Sequence, residues 1–185
     1  MEDVTDRFAK LFPFEELLEG VLASFCVGTS LTVRARLETL GRELREDDLE
    51  AYTRQVVDQA GKYTAFDMVK GRDAIHRASR RMAEFQQEYD MVLTPTLAKP
   101  PVPHGSFPPS KDVKSHVDKI VSFFPYTLLA NWTGQPAMSV PLYWTPDGLP
   151  IGVHFFGRFG DEATLFRLAS QLEESRPWKA RRPTF

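Results

Sequence analysis

Between Asn131 and Phe156 the residue pattern leaves the backbone few choices. Met138, Val140 and Leu142 alternate with Ser139 and Pro141, so a strand here has one apolar face, and Pro141, lacking an N–H, pushes it to a sheet edge or a bulge. Pro146-Asp147-Gly148 supplies turn chemistry, and Ile151 to Phe156 then runs back as a second strand. Upstream, Met91-Val92-Leu93 is a short apolar run bounded by Asp90 and Thr94-Pro95, which suits a further buried strand. The expected unit is a hairpin beside a strand.

Helices flank that unit. Thr64 with Asp67 three residues on forms a capping box, and Ile75, Ala78, Met82, Phe85 and Tyr89 recur at spacings of three and four, one stripe of a long helix. Arg72, Arg77, Arg80 and Arg81 fall on its other faces and read as solvated, since no glycine-rich loop precedes them. Met1 to Gly41 reads as helix interrupted at Pro13, and Asp47 or Asp48 is placed to cap a helix carrying Tyr52, Val56 and Ala60. Val113 to Ala130 reads as helical with a new turn at Pro125, and a last helix starts at Asp161 and stops before Pro177. Six prolines between Thr94 and Ser110 mark a long extended loop, either a pocket wall or a surface connector.

Composition excludes several functions. A net charge of −2 with interspersed signs gives no footprint for nucleic acid or an anionic membrane, which leaves small molecules and proteins as partners. The single cysteine, Cys26, allows no internal disulfide and suits a reducing, cytoplasmic setting. The apolar run Leu17 to Val27 contains Glu19 and reads as too short to span a bilayer. The greasy opening of the chain also leads us to expect that further polypeptide packs there. No composition break divides the 185 residues, so one domain is expected.

Catalytic signals are sparse. None of the serines lies in a Gly-x-Ser-x-Gly elbow, and Ser139, on the polar side of its strand, reads as structural. The four histidines, His76, His104, His116 and His154, lack metal-ligand spacing, Cys26 sits in an apolar run as inert core, and no cofactor motif is present. Thr94, Thr96 and Asn131 fall at strand and helix ends, where polar groups orient ligands, although Asn131 beside Gly134 equally suits a cap.

Taken in order, Tyr-Asp-Met-Val-Leu-Thr-Pro-Thr-Leu at Tyr89–Leu97, the proline loop, Asn-Trp-Thr-Gly-Gln-Pro-Ala-Met-Ser-Val-Pro-Leu at Asn131–Leu142, and the Gly148–Glu173 segment resemble the C-terminal part of the amidase signature family. That family cleaves carboxamides with a Ser, cis-Ser, Lys triad. The resemblance implies an α/β fold, a few strands of a mixed sheet covered by helices, here a single partial domain without the N-terminal catalytic half. The family's Gly-Ser-Ser-Gly segment and its upstream Lys have no counterpart in this sequence. The chain alone is then expected to carry no catalytic residue and to serve as substrate-channel wall and scaffold, with the missing half and an amide substrate as partners and a homo-oligomer as a further possibility. By the same resemblance the helix before Asn131 lines the acyl channel, which assigns Val121, Phe124 and Leu128 to it, although their spacing alone better suits ordinary core. Phe124 stands where the transamidating branch is expected to carry an acidic residue, pointing to an apolar acyl group. The alternative is a non-catalytic remnant acting as a protein-interaction module through its sheet edge and apolar helices.

Overall fold

The computed structural model describes residues 2–12, 14–107 and 113–182. Pro13 and the Pro108–Ser110 end of the proline loop lie outside the described residues. The fold is α/β, with α1 (Thr5–Ala9), α2 (Phe14–Leu40), α3 (Ala51–Ala60), α4 (Ala65–Phe85), β1 (Met91–Pro95), α5 (Val113–Phe123), α6 (Thr127–Thr133), β2 (Ala137–Trp144), β3 (Pro150–Gly157) and α7 (Glu162–Ser175). The chain divides into two compact units, residues 1–78 with 105–120, and residues 79–104 with 121–185.

In the first unit the inward face of α2 carries Leu17, Gly20, Ala23, Cys26 and Ser30, all buried. Cys26 and Val56 form a core with Tyr52, Ala60, Tyr63 and Val117 around them. Glycine sets how closely α2 and α4 approach: a Cβ on Gly71 would stand 2.6 Å from Gly20 Cα. The capping box of α4 is formed, with Thr64 N–H donating to Asp67 Oδ2 at 2.8 Å and Asp67 N–H donating to Thr64 Oγ1 at 3.2 Å. The cap expected at Asp47 or Asp48 is not. Helix α3 starts after Glu50 with no side-chain cap, because Asp48 is engaged by Arg42 Nη1 and Nη2 and by Arg45 N–H.

The apolar content of α2 also runs further than Val27. Gly28, Leu31 and Val33 sustain it between the threonines, and Leu17–Leu40 is by length and composition alone long enough to cross a membrane. That corrects the reading of this run as too short, although the buried face just described belongs to the protein's own core.

In the second unit the sheet order is β1-β3-β2, and both ladders are antiparallel. The hairpin beside a strand is therefore present. Gly148, at φ +81°, donates its N–H to Thr145 O across the Pro146-Asp147 turn. Strand β2 is an edge, and its register with β3 shifts between Val140 and Tyr143, around Pro141. One face of the sheet packs Val140 and Phe155 against Leu165, with Met138, Val153, Leu168 and Leu172 around them. Asp161 accepts from Thr164 N–H and starts α7 as expected.

Candidate functional site

Pairing register decides which side chains share the other sheet face. Thr94 lies opposite His154, Val92 opposite Phe156, and Ser139 opposite His154 from the far strand. That face is polar at one end and apolar at the other. Thr94 Oγ1 is 3.0 Å from His154 Nδ1, with both residues buried. Burial pushes the His154 pKa down, so the ring is neutral at neutral pH and its hydrogen bond to Thr94 is one between uncharged groups.

Next along the face, Thr96 Oγ1 is 2.7 Å from Ser139 Oγ. Between them sits Gly152, where a Cβ would lie 2.6 Å from each hydroxyl oxygen, so only glycine lets the two side chains meet across the central strand. Ser139 thus points away from the α7 core, as its alternation indicates, and its hydroxyl is bound to a threonine rather than to a base.

The expected channel residues do not ride one helix. Helix α5 ends at Phe123 and α6 begins at Thr127, with Phe124 and Pro125 in the break. Val121, Phe124 and Leu128 are each half-buried. A backbone bond from Ala98 N–H to Phe123 O, 2.9 Å, ties the start of the proline loop to that break. Thr96, two residues before one partner, and Phe124, next to the other, are thereby held in one region. Asn131 is exposed in α6, and the helix is closed not by it but by Gly134, at φ +74°, whose N–H bonds Ala130 O. Thr94, committed to His154, serves the sheet and leaves Thr96 as the more open of the two threonines.

A second polar set escaped the sequence reading. Gln86, almost wholly buried just past α4, accepts from Gln135 Nε2, which also donates to Gly157 O at 3.0 Å. Arg158 Nε donates to Gln86 O at 2.9 Å and Arg158 Nη2 to Asp90 Oδ1 at 3.1 Å. Two glutamines far apart in a chain give no local signal; Gln135 stands in the Gly-Gln-Pro link between α6 and β2, where only its polarity beside an apolar strand start marked it.

Of the remaining candidates, Cys26 is buried with its pKa raised by desolvation, a thiol rather than a nucleophile. His116 packs its ring 4.5 Å from that of Tyr52, and His76 and His104 are exposed.

Comparison with known proteins matches residues 21–166 to the Amidase family model. The chain belongs to the amidase family. It is 42% identical over 104 residues to the putative amidase AmiC of Mycobacterium leprae, covering 56% of this chain and 22% of that protein. Against the putative amidase AmiB2 of Mycobacterium tuberculosis the figures are 38% over 138 residues, 75% of this chain and 30% of the other. With the 6-aminohexanoate-cyclic-dimer hydrolase of a Pseudomonas strain it shares 28% over 188 residues, 98% of this chain and 38% of that one. A solved 6-aminohexanoate cyclic dimer hydrolase superposes with a TM-score of 0.85 at 27% identity, over 91% of this chain and 36% of that chain. A bacterial aryl acylamidase of the amidase signature family superposes at 0.71 with 20% identity, a likeness of fold. The amidase chain described here therefore spans well under half the length of these relatives.

Proposed function

We propose that this chain forms the scaffold and acyl-channel wall of an amidase that cleaves carboxamide C–N bonds through a serine acyl-enzyme. The observation that carries the reading is the family match across residues 21–166. Serine attack on the amide carbonyl expels the amine, and water then releases the acid. The groups that perform those steps belong to the part of the family's fold that has no counterpart in these 185 residues. What this chain contributes is shape. Phe124, Val121 and Leu128 take the apolar acyl portion, and Thr96 and Asn131 offer polar atoms at its edge.

An aliphatic acyl group suits that lining, and one relative is named for hydrolysing the cyclic dimer of 6-aminohexanoate. The single buried Cys26 fits a reducing compartment, and we assign the protein to the cytoplasm on that basis.

The test compares two preparations, the product of the full native reading frame and residues 1–185 alone. The first, with any separate polypeptide that copurifies, is expected to hydrolyse aliphatic amides and to be labelled by a serine-reactive phosphonate. The second is expected to do neither. Turnover by residues 1–185 that the phosphonate abolishes, or an unlabelled and inactive full product, overturns the reading.

A further inference from the structure

Strand β2 is bonded to β3 on one side, and its other side is a sheet edge. Ala137 to Trp144 carries no charged residue, and an uncharged edge invites pairing with another chain. Pro141 removes one donor, the register shifts beside it, and Thr145 N–H is already spent on Leu149 O. The stretch that stays pairable is Leu142-Tyr143-Trp144, and Tyr143 in it is 60% exposed.

The segment after α7 lies across that stretch. Pro177 cannot continue the helix, and the chain leaves it to pack Trp178 against the core of Val140, Phe155 and Leu165. From either side of Trp178 an arginine reaches β2. Arg176 Nη1 donates to Leu142 O at 3.4 Å, and the Arg181 guanidinium stands 4.5 Å from the centre of the Trp144 ring. Among the described residues no backbone bond joins 176–182 to β2, so side chains alone hold the segment there. Arg176, Lys179, Arg181 and Arg182 are all exposed, which gives the segment four positive charges and no negative one. Two copies approaching through β2 bring those charges together and repel.

We infer that residues 176–182 are a latch over the β2 edge, and that with the latch open Leu142–Trp144 pairs antiparallel with the same residues of a second copy. A second copy suits the edge because the stretch carries no charge to repel its like, and a two-fold axis at Tyr143 sets Leu142 opposite Trp144. Closed, the latch takes the carbonyl of Leu142 and one face of the Trp144 ring, two groups that such pairing needs. This latch is independent of the amidase reading.

The test reads cross-linking at position 143 in the product of the native reading frame. Tyr143→Cys is made alone and together with Arg176→Ala and Arg181→Ala, and each protein is oxidised with copper phenanthroline. Both arginines are exposed, and circular dichroism checks that the fold survives their loss. Leu93→Cys, 46% exposed on β1, carries the same arginine changes as the control. With the arginines present, little disulfide-linked dimer is expected at 143; without them its rate rises severalfold, mass spectrometry places the link at 143 to 143, and position 93 gains nothing. An equal rate at 143 with and without the arginines, a matching gain at 93, or a link from 143 to a different polypeptide overturns the proposal. With no cysteine added, Arg176→Ala with Arg181→Ala is expected to sediment with a mass that rises with concentration beyond the parent's, and Tyr143→Lys in that background restores the parent behaviour. A mass that does not rise, or a rise that Tyr143→Lys leaves in place, also overturns it.

Discussion

The buried side chains of Thr94 and His154, paired across β1 and β3, meet at 3.0 Å between Oγ1 and Nδ1. Because burial depresses the His154 pKa below its ordinary 6.5, the unfolded chain takes up a proton at this residue before the native sheet does. Stability from this group is therefore complete above about pH 6.5 and is lost as pH falls from there toward the folded-state pKa. Thermal unfolding followed from pH 7.5 to 5 is expected to show a falling melting temperature whose slope is shallower in His154→Gln. Thr94→Val leaves a ring nitrogen buried without its partner and is expected to cost about 1–3 kcal/mol at pH 7, with Thr94→Ser recovering most of it. An unchanged slope in His154→Gln would remove this histidine from the acid response.

Gly152 tests whether the Thr96–Ser139 contact holds the sheet. In Gly152→Ala the new methyl must displace two hydroxyl groups 2.6 Å away, an overpacking of about 1–3 kcal/mol. Removing one obstacle, in Gly152→Ala with Ser139→Ala, is expected to restore part of the loss in urea titrations. If the double variant is as unstable as the sum of the two singles, the strain lies elsewhere.

A harsher outcome is expected at Gly71→Ala. Its Cβ would stand 2.6 Å from Gly20 Cα, and the obstacle is main chain, which cannot rotate aside. Either α2 and α4 separate, opening the core beside Leu17, or the variant unfolds. We expect a destabilisation at or above the upper end of about 1–3 kcal/mol, larger than at Gly152. Equal melting temperatures for Gly71→Ala and the parent would refute the close approach.

What could be read from the sequence was what short-range chemistry decides. The turn at Pro146–Gly148, the Thr64–Asp67 box, the Asp161 cap and the edge position forced by Pro141 all depend on residues within a few positions of one another. The cap expected at Asp47 or Asp48 does not form for a related reason: Arg42, six positions from Asp48, takes that carboxylate in place of the helix start. Gln86 and Gln135 are 49 residues apart, and the Gly20–Gly71 crossing and the Ala98–Phe123 bond join segments whose neighbourhood no local pattern announces. The candidate site suffers most from this. Thr94 and Thr96 look equivalent in sequence, yet one is spent on His154 and the other stands beside Ser139 at the mouth of the loop. The new turn at Pro125 was legible from its missing N–H, and it is this break that takes Phe124 off the single helical side that the spacing of Val121, Phe124 and Leu128 allows.

That gap gives Phe124 its diagnostic value. A half-buried aromatic ring outside any helix, beside the loop tie at Ala98, can change size without breaking a helical ladder, so its substitution tests the proposed acyl contact with little expected cost in stability. On the amidase reading proposed above, Phe124→Ala in the product of the native reading frame is expected to raise KM for amides with apolar acyl groups about tenfold, the loss of roughly 1.4 kcal/mol of contact, with kcat little changed. Phe124→Glu should impose the same loss and in addition improve the relative rate on acyl groups that carry a positive charge, because a carboxylate in that wall then attracts them. Steady-state kinetics on one neutral and one cationic acyl amide, with circular dichroism to confirm the fold, separates these outcomes. Unchanged kcat/KM for both substrates in both variants would take Phe124 out of the acyl channel and leave it an ordinary packing residue.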